Sequence, residues 1–417
     1  MDIKKIVKEF SGCACGKAHT VGIKEVAAGA GITKDTGEIL KRNGFGSKLL
    51  LVADNNTLKA ADGVEESLMR AGFVLARHVY KNLRTADMTQ VRVVEKLLDD
   101  NDGVIAVGTG SIHDTCRMAS ARKNKPLCLF ATAASMDGFA SYNAPITDNN
   151  FKITYAAKTP EVIIADSEIL AAAPNELKSA GFGDMVGKYV GLIDWQVSHL
   201  LTGEYYCEKV ANLTRTATDK IMSLADKILS EEPSAAQEVF EALLLTGIGM
   251  AFTKTSRPAS GTEHILSHYW ECMKLAQGHL SDFHGKKVGV ATLLIMDEYE
   301  KLAALETVTA RRETPDWEDI YKHYGVLAEE VRALNTPDTI TDGIDPRTIE
   351  ENWQKIRAIV HSVPSKQEIL IAMQKAGCAT TVDEIAVSET LKNSGLKYHP
   401  FMRRRLSLMR LKNMLAL

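Results

Sequence analysis

From Lys48 onward, short continuous apolar runs alternate with segments whose apolar positions recur every three or four residues. Lys48-Leu-Leu-Leu-Val-Ala-Asp54 is an unbroken apolar run halted by Asn55-Asn56, the pattern of a strand buried on both faces. The same reading predicts a helix over 57–70, a strand over 73–80, a helix over 88–98, and strands over 103–108, 126–131 and 161–166. Between the last two strands, Ala144–Tyr155 carries the polar tip Thr147-Asp148-Asn149-Asn150, which predicts a hairpin. Strands alternating with helices imply parallel βαβ units with right-handed crossovers.

Beyond Ala180 the strand signal stops. Helical patterns cover 185–201, 207–229, 235–254, 262–276 and 286–305, punctuated by Arg257-Pro258, Thr336-Pro337-Asp338 and Ser362-Val363-Pro364. The chain is therefore expected to divide into a nucleotide-binding α/β domain over 1–180 and an all-α helical domain over 181–417 that holds metal and substrate. No internal repeat or low-complexity segment interrupts this plan.

The 417 residues suit two domains, and 45% hydrophobic with 25% charged residues suits a globular chain with a large core. A formal net charge of −3 offers no field for gripping nucleic acid. Seven cysteines without framework spacing fit a reducing, cytoplasmic setting. The polar start Met1-Asp2-Ile3-Lys4-Lys5 lacks a signal-type apolar stretch, and no run reaches the ~18 apolar residues that a bilayer span requires, so membrane insertion is not expected.

Several stretches carry chemistry. The run Gly103–Gly108 leads into Thr109-Gly110-Ser111 and then a helix, where glycines admit a close ligand and free N–H groups favour an anion. The full G-x-G-x-x-G spacing is missing, so a tight strand-to-helix turn explains it equally well. Asp54, at the end of the first strand, either accepts hydrogen bonds from a nucleotide ribose or closes an Asx turn with Asn55 and Asn56. Thr132-Ala-Ala-Ser135-Met136-Asp137-Gly138 follows another strand and faces the same crevice.

In the second half, Asp184 of Ala180-Gly-Phe-Gly-Asp184 stands where a helix is expected to begin, which also makes it a candidate N-cap. Gly261-Thr-Glu-His264-Ile-Leu-Ser-His268 puts two imidazoles at i and i+4, and Asp282-Phe-His284-Gly adds a third at the next helix start. One Asp and two or three His converging from separate helices suit a divalent metal with an open position. Ile265 follows His264, so the glutamate base of a His-Glu-x-x-His protease is missing. Cys13-Ala-Cys15-Gly-Lys-Ala-His19 resembles half a zinc site without a second pair nearby. The tail 402–412 reads as a basic amphipathic helix, either packing Leu406 and Met409 inward beneath solvated arginines or meeting an anionic surface.

Taken in order, Gly-Thr-Gly-Ser with Asp114, Thr-Ala-Ala-Ser-x-Asp-Gly, Ala-Gly-Phe-Gly-Asp, Gly-Thr-Glu-His and His-Gly resemble the metal-dependent polyol dehydrogenases related to glycerol dehydrogenase and dehydroquinate synthase. Within that group, 160–166, 180–195 with Asp194-Trp195, and 256–271 look most like the bacterial sn-glycerol-1-phosphate dehydrogenases, the likeness running from about Leu49 to Thr292. The resemblance implies a Rossmann-like parallel-sheet domain followed by helices. It implies Asp184, His264 and His284 as ligands of one divalent metal, nickel or zinc, with iron as a third choice. It places Gly108, Gly110, Ser111 and Asp114 at the NAD pyrophosphate loop, and Thr132 and Ser135 beside the nicotinamide. Asp137 becomes a catalytic and substrate-contacting carboxylate, while Arg117 stands where relatives carry a lysine. Asp54 disfavours a 2′-phosphate, so NAD(H) is expected ahead of NADP(H). The implied reaction is reversible reduction of dihydroxyacetone phosphate to sn-glycerol 1-phosphate, with His268 relaying the proton and Lys152 and Arg257 holding the substrate phosphate; Lys188 is a further cation. Relatives assemble as dimers or larger homo-oligomers. The alternatives are a glycerol dehydrogenase for the unphosphorylated polyol, a dehydroquinate synthase-like cyclase, or a non-catalytic metal- or nucleotide-binding protein.

Overall fold

The computed structural model describes residues 1–417. A short helix, α1 (Ile3–Glu9), precedes the first strands β1 (Glu25–Gly29), β2 (Lys48–Asp54), β3 (Val74–Tyr80) and β4 (Gly103–Gly108). Helix α2 (Gly110–Lys123) follows, then β5 (Leu127–Ala131), β6 (Asn143–Asp148), β7 (Phe151–Ala156) and β8 (Val162–Asp166). Six strands form one sheet in the order β1-β8-β5-β4-β2-β3, every neighbouring pair parallel. The inner strands β2, β4, β5 and β8 are buried almost throughout, as their unbroken apolar runs require, whereas edge strand β3 has no fully buried residue. One cluster of 17 buried side chains packs each sheet face.

Strand β1 is the element the apolar pattern did not reveal: Glu25-Val-Ala-Ala-Gly29 is short, and it becomes a strand by pairing along β8 from Glu25↔Val162 to Gly29↔Asp166. The helix expected over 57–70 is two, Asn55–Ala60 and Val64–Arg70, broken at Gly63, whose φ of 89° no helix accommodates. The expected hairpin forms as β6 and β7, and its turn residues Asn149 and Asn150 adopt φ of 48° and 64°, the left-handed pair of a tight two-residue turn.

An all-helical region follows: α3 (Asn175–Val186), α4 (Lys188–Thr202), α5 (Glu208–Ser223), α6 (Pro233–Thr253), α7 (Thr262–Ala276) and α8 (His284–Ala303), with further helices to Lys412. Residue 180 lies inside α3, so Asp184 sits in a helix interior and caps nothing. A continuous core of 77 buried residues joins these helices to the sheet through Ala131, Ile163 and Ala165. Helix α6 corrects the reading that no segment is long and apolar enough to cross a membrane, having 21 residues with a window of mean hydropathy 1.3; 78% of that window is buried inside the protein, which is what a core helix needs. The basic tail packs Leu406 and Met409 inward as expected, but its helical extent and its solvated arginines are corrected. Only Leu408–Lys412 is helical, and its arginines are tied to protein: Arg405 donates to the Ser260 carbonyl (2.7 Å) and Ser256 Oγ (2.8 Å), and buried Arg410 pairs with Glu313 (2.9 Å).

Candidate active site

The direction of strand succession reverses between β2 and β4, and the crevice beyond the carboxyl ends of such strands is where doubly wound sheets take ligands. A cavity of about 460 Å³ opens there and runs to the starts of α7 and α8. Asp54, Gly110, Ser111, Asp114, Thr132, Ser135 and Asp137 all line it. Gly108 does not; it is a packing position, where a Cβ would fall 2.6 Å from Ile112 Cδ1. Asp54 closes the turn considered for it, Oδ1 accepting from the Asn56 and Thr57 N–H groups (2.9 Å each), and it also lines the cavity. Burial raises the Asp114 carboxyl to about 6, against the pull of Arg117. Arg117 itself is fully buried and donates to the carbonyls of Ser141 (2.6 Å) and Gly138 (2.5 Å), fixing the loop that presents Asp137.

At the helical end, Asp184, His264 and His284 bring one ligand atom each to within 4.8 Å of one another. Glycines make this possible. A Cβ on Gly181 would meet the Ala134 carbonyl at 2.0 Å, and one on Gly285 the Ala180 carbonyl at 1.9 Å, so α3 lies against both the post-β5 loop and α8 only because these positions lack side chains. His264 Nε2 lies 3.3 Å and His284 Nε2 3.8 Å from Asp184 Oδ1. Glu263 Oε1 accepts from His264 Nδ1 (2.5 Å) and the Gly261 N–H (3.0 Å), which puts the imidazole proton on Nδ1 and turns the Nε2 lone pair toward Asp184. Asp194 ties the starting turn of α7 to α8 by accepting from Thr262 N (2.7 Å) and Tyr299 OH (2.6 Å). This donor set, one carboxylate oxygen and two imidazole nitrogens, suits a divalent cation.

Buried Lys188 donates to Asp184 Oδ1 (2.9 Å) and pairs with Asp137 Oδ2 (2.8 Å), while the Asp137 N–H donates to Asp184 Oδ2 (2.9 Å). Burial acts to raise the Asp184 carboxyl, but Lys188 and the two imidazoles outweigh it and hold it well below the usual carboxylate range. For Asp137 burial, with Asp184 alongside, prevails over Lys188 and the carboxyl is raised.

A second polar cluster lies farther along the cavity wall. Glu271 holds Lys152 on one oxygen (2.8 Å) and Lys287 on the other (2.7 Å), all three lining the cavity with His268. The Arg403 guanidinium faces His268 Nδ1 at 3.5 Å, and His268 Nε2 is buried without a partner. Arg257 is a correction: it stands outside the cavity, because Glu204 (2.8 Å), Ser198 Oγ (3.1 Å) and the Leu406 carbonyl (2.9 Å) take up its guanidinium. The sequence reading missed Glu263, Glu271 and Lys287. Glu263 was legible as the neighbour of a candidate ligand, whereas Lys287 and Glu271 carry no local signal.

A parallel sheet with a ligand crevice, followed by helices that gather an Asp-His-His set, defines the class of metal-dependent dehydrogenases. Residues 27–174 match the iron-containing alcohol dehydrogenase family. A butanol dehydrogenase from Thermotoga maritima described as NADH-dependent shares the fold at a TM-score of 0.62 and 14% identity, covering 94% of this chain and 92% of that one. In sequence, the chain is 30% identical over 415 residues to the NAD(P)+ glycerol-1-phosphate dehydrogenase of Halalkalibacterium halodurans, covering 98% of this chain and 96% of the relative. It is 31% identical over 379 residues to that of Geobacillus stearothermophilus, covering 85% and 94%. The chain belongs to the glycerol-1-phosphate dehydrogenase family and is an oxidoreductase of that family.

Proposed function

We propose that the protein catalyses reversible, NAD(P)-dependent reduction of dihydroxyacetone phosphate to sn-glycerol 1-phosphate, with NAD(H) the preferred partner. The observation that carries this reading is the cluster of one buried and one half-buried lysine sharing one carboxylate: Lys287 and Lys152 leave a net positive charge beside Glu271, which suits a phosphate and would be wasted on a neutral polyol. Asp184, His264 and His284 would hold a divalent cation, which supplies Lewis acidity to the substrate carbonyl oxygen. Asp54, Gly110, Ser111, Asp114, Thr132 and Ser135 would hold the dinucleotide, which supplies or takes up hydride; the Asp54 carboxylate disfavours a 2′-phosphate at that end of the cavity.

The chain's own groups do the rest. Asp137, fixed by Lys188 and by Arg117 through its loop, accepts a hydrogen bond from a substrate hydroxyl. His268 keeps its proton at Nε2, because a donor-only guanidinium faces Nδ1, and that N–H, which has no partner within the protein, is the one left to donate a hydrogen bond to substrate. Lys188 offsets part of the negative charge of the two carboxylates, which would otherwise repel a phosphorylated substrate.

The experiment follows NADH oxidation by metal-depleted protein with dihydroxyacetone phosphate or dihydroxyacetone, with nickel, zinc or ferrous ion restored. Metal-restored turnover confined to the phosphorylated ketone is expected, with chiral analysis giving the 1-phosphate enantiomer. Lys287→Ala and Lys152→Ala should each raise KM for the phosphorylated ketone at least tenfold, the loss expected for one charge-assisted hydrogen bond, with little change for dihydroxyacetone. Equal effects on both substrates would remove the phosphate assignment, and turnover of dihydroxyacetone alone would move the protein to the glycerol dehydrogenases.

A further inference from the structure

The N-terminal motif Cys13-x-Cys15-x-x-x-His19 finds its missing partner far along the chain. Cys207, the residue just before α5, brings its sulfur to 3.7 Å from Cys13 Sγ and 3.5 Å from His19 Nε2, while Cys15 Sγ lies 3.2 Å from the same nitrogen. All four ligand atoms fall within 4.8 Å of one another. We propose that Cys13, Cys15, His19 and Cys207 form a structural zinc site, separate from the Asp184-His264-His284 set.

The separations match the ion. Tetrahedral zinc with bonds of ~2.3 Å to sulfur and ~2.0 Å to nitrogen places two sulfurs ~3.8 Å apart and a sulfur and a nitrogen ~3.5 Å apart. A disulfide between Cys13 and Cys207 would need its sulfurs at ~2.05 Å and would leave Cys15 and His19 without a role. His19 is buried, and its Nδ1 faces the Phe252 carbonyl at 3.4 Å, so the ring proton sits on Nδ1 and the Nε2 lone pair points into the cluster. Tyr205 OH approaches Cys15 Sγ (3.5 Å), a hydrogen bond suited to a thiolate, and Lys17 lies 3.5 Å over the Tyr205 ring, placing a cation beside a site that three thiolates and one zinc leave at −1. Three sulfurs and one nitrogen select a soft ion, and four protein ligands close the coordination, so the site fastens rather than catalyses.

What it fastens is visible in the packing. Phe10, one residue past α1, sets its ring edge-on to His19 at 5.5 Å and against Phe252 at 4.8 Å. Zinc would thus pin the N-terminal segment to the start of α5 and the end of α6. The loop after α6 carries Ser256, Ala259 and Ser260 into the cavity wall, so this anchor supports the outer edge of the active site.

The test uses the full chain, reduced and stripped of metal, titrated with Co²⁺. One equivalent per chain should give thiolate-to-cobalt charge-transfer absorption in the near ultraviolet, which an Asp-His-His site cannot produce, and Zn²⁺ should abolish it. The absorption should persist in Asp184→Asn and vanish in Cys207→Ser. Its absence from the reduced wild-type chain, or its survival in Cys207→Ser, overturns the site. Should Cys207→Ser fail to fold, X-ray absorption on the Asp184→Asn chain carrying one equivalent of zinc decides: three sulfurs and one nitrogen support the site, and an oxygen and nitrogen shell overturns it.

Discussion

Gly183 and Gly285 touch across the α3–α8 crossing: a Cβ on Gly183 would lie 2.4 Å from the Gly285 carbonyl oxygen, a contact that no side chain survives. The crossing sets Asp184 on one helix against His284 on the other, so the close approach of two backbones fixes the spacing of two ligands. Gly183→Ala should therefore separate the helices. Overpacking of this kind costs about 1–3 kcal/mol, and the variant should unfold at lower temperature and carry less bound metal than the wild type. Thermal unfolding with metal analysis checks both; unchanged metal content in a destabilised variant would show that the crossing does not govern ligand spacing.

Glu263 touches neither cavity nor substrate position, yet it orients His264 through a 2.5 Å contact. Glu263→Gln should keep the fold and weaken metal affinity by roughly 10–100-fold, the usual cost of losing a carboxylate behind a histidine ligand. Competition against a chelator of known affinity measures it, and wild-type affinity in the variant would refute the orienting role.

Two buried histidines outside the site make stability fall in mild acid. Burial, with Arg117 nearby, depresses His113 to about 3, and burial depresses His399 to about 4 despite its bond to the Gly395 carbonyl. In the unfolded chain both take a proton near 6.5, so between that pH and the depressed values the unfolded state binds more protons and stability drops as pH falls. At pH 5 each histidine costs about 2 kcal/mol relative to neutral pH. Urea midpoints at pH 7 and pH 5 should differ less in His113→Asn and in His399→Asn than in the wild type; identical pH sensitivity in all three would refute the assignment.

Much of the architecture was legible because it is written locally. Unbroken apolar runs marked β2, β4, β5 and β8, and Asn149-Asn150 marked the hairpin, since burial on both faces and left-handed turn geometry leave few residue choices. Strand β1 escaped because five residues acquire their structure only by pairing with β8. The solvated tail arginines were misread because periodicity shows which face a helix offers but not what meets its charges, and here Ser256, Ser260 and Glu313 do.

For the site, the sequence by itself determined the donor types: a carboxylate at 184, imidazoles at 264 and 284, and a glycine-rich strand end at 108–111. Spacing along one helix fixed the separation of His264 and His268, because that distance is a property of the helix. Distances between elements are not encoded that way. Only the tertiary structure decided that Lys287 shares Glu271 with Lys152, that Arg257 is spent on Glu204, and that Cys207 completes the set begun by Cys13, Cys15 and His19. Each depends on how helices distant in sequence pack, and that packing is settled by the whole core together.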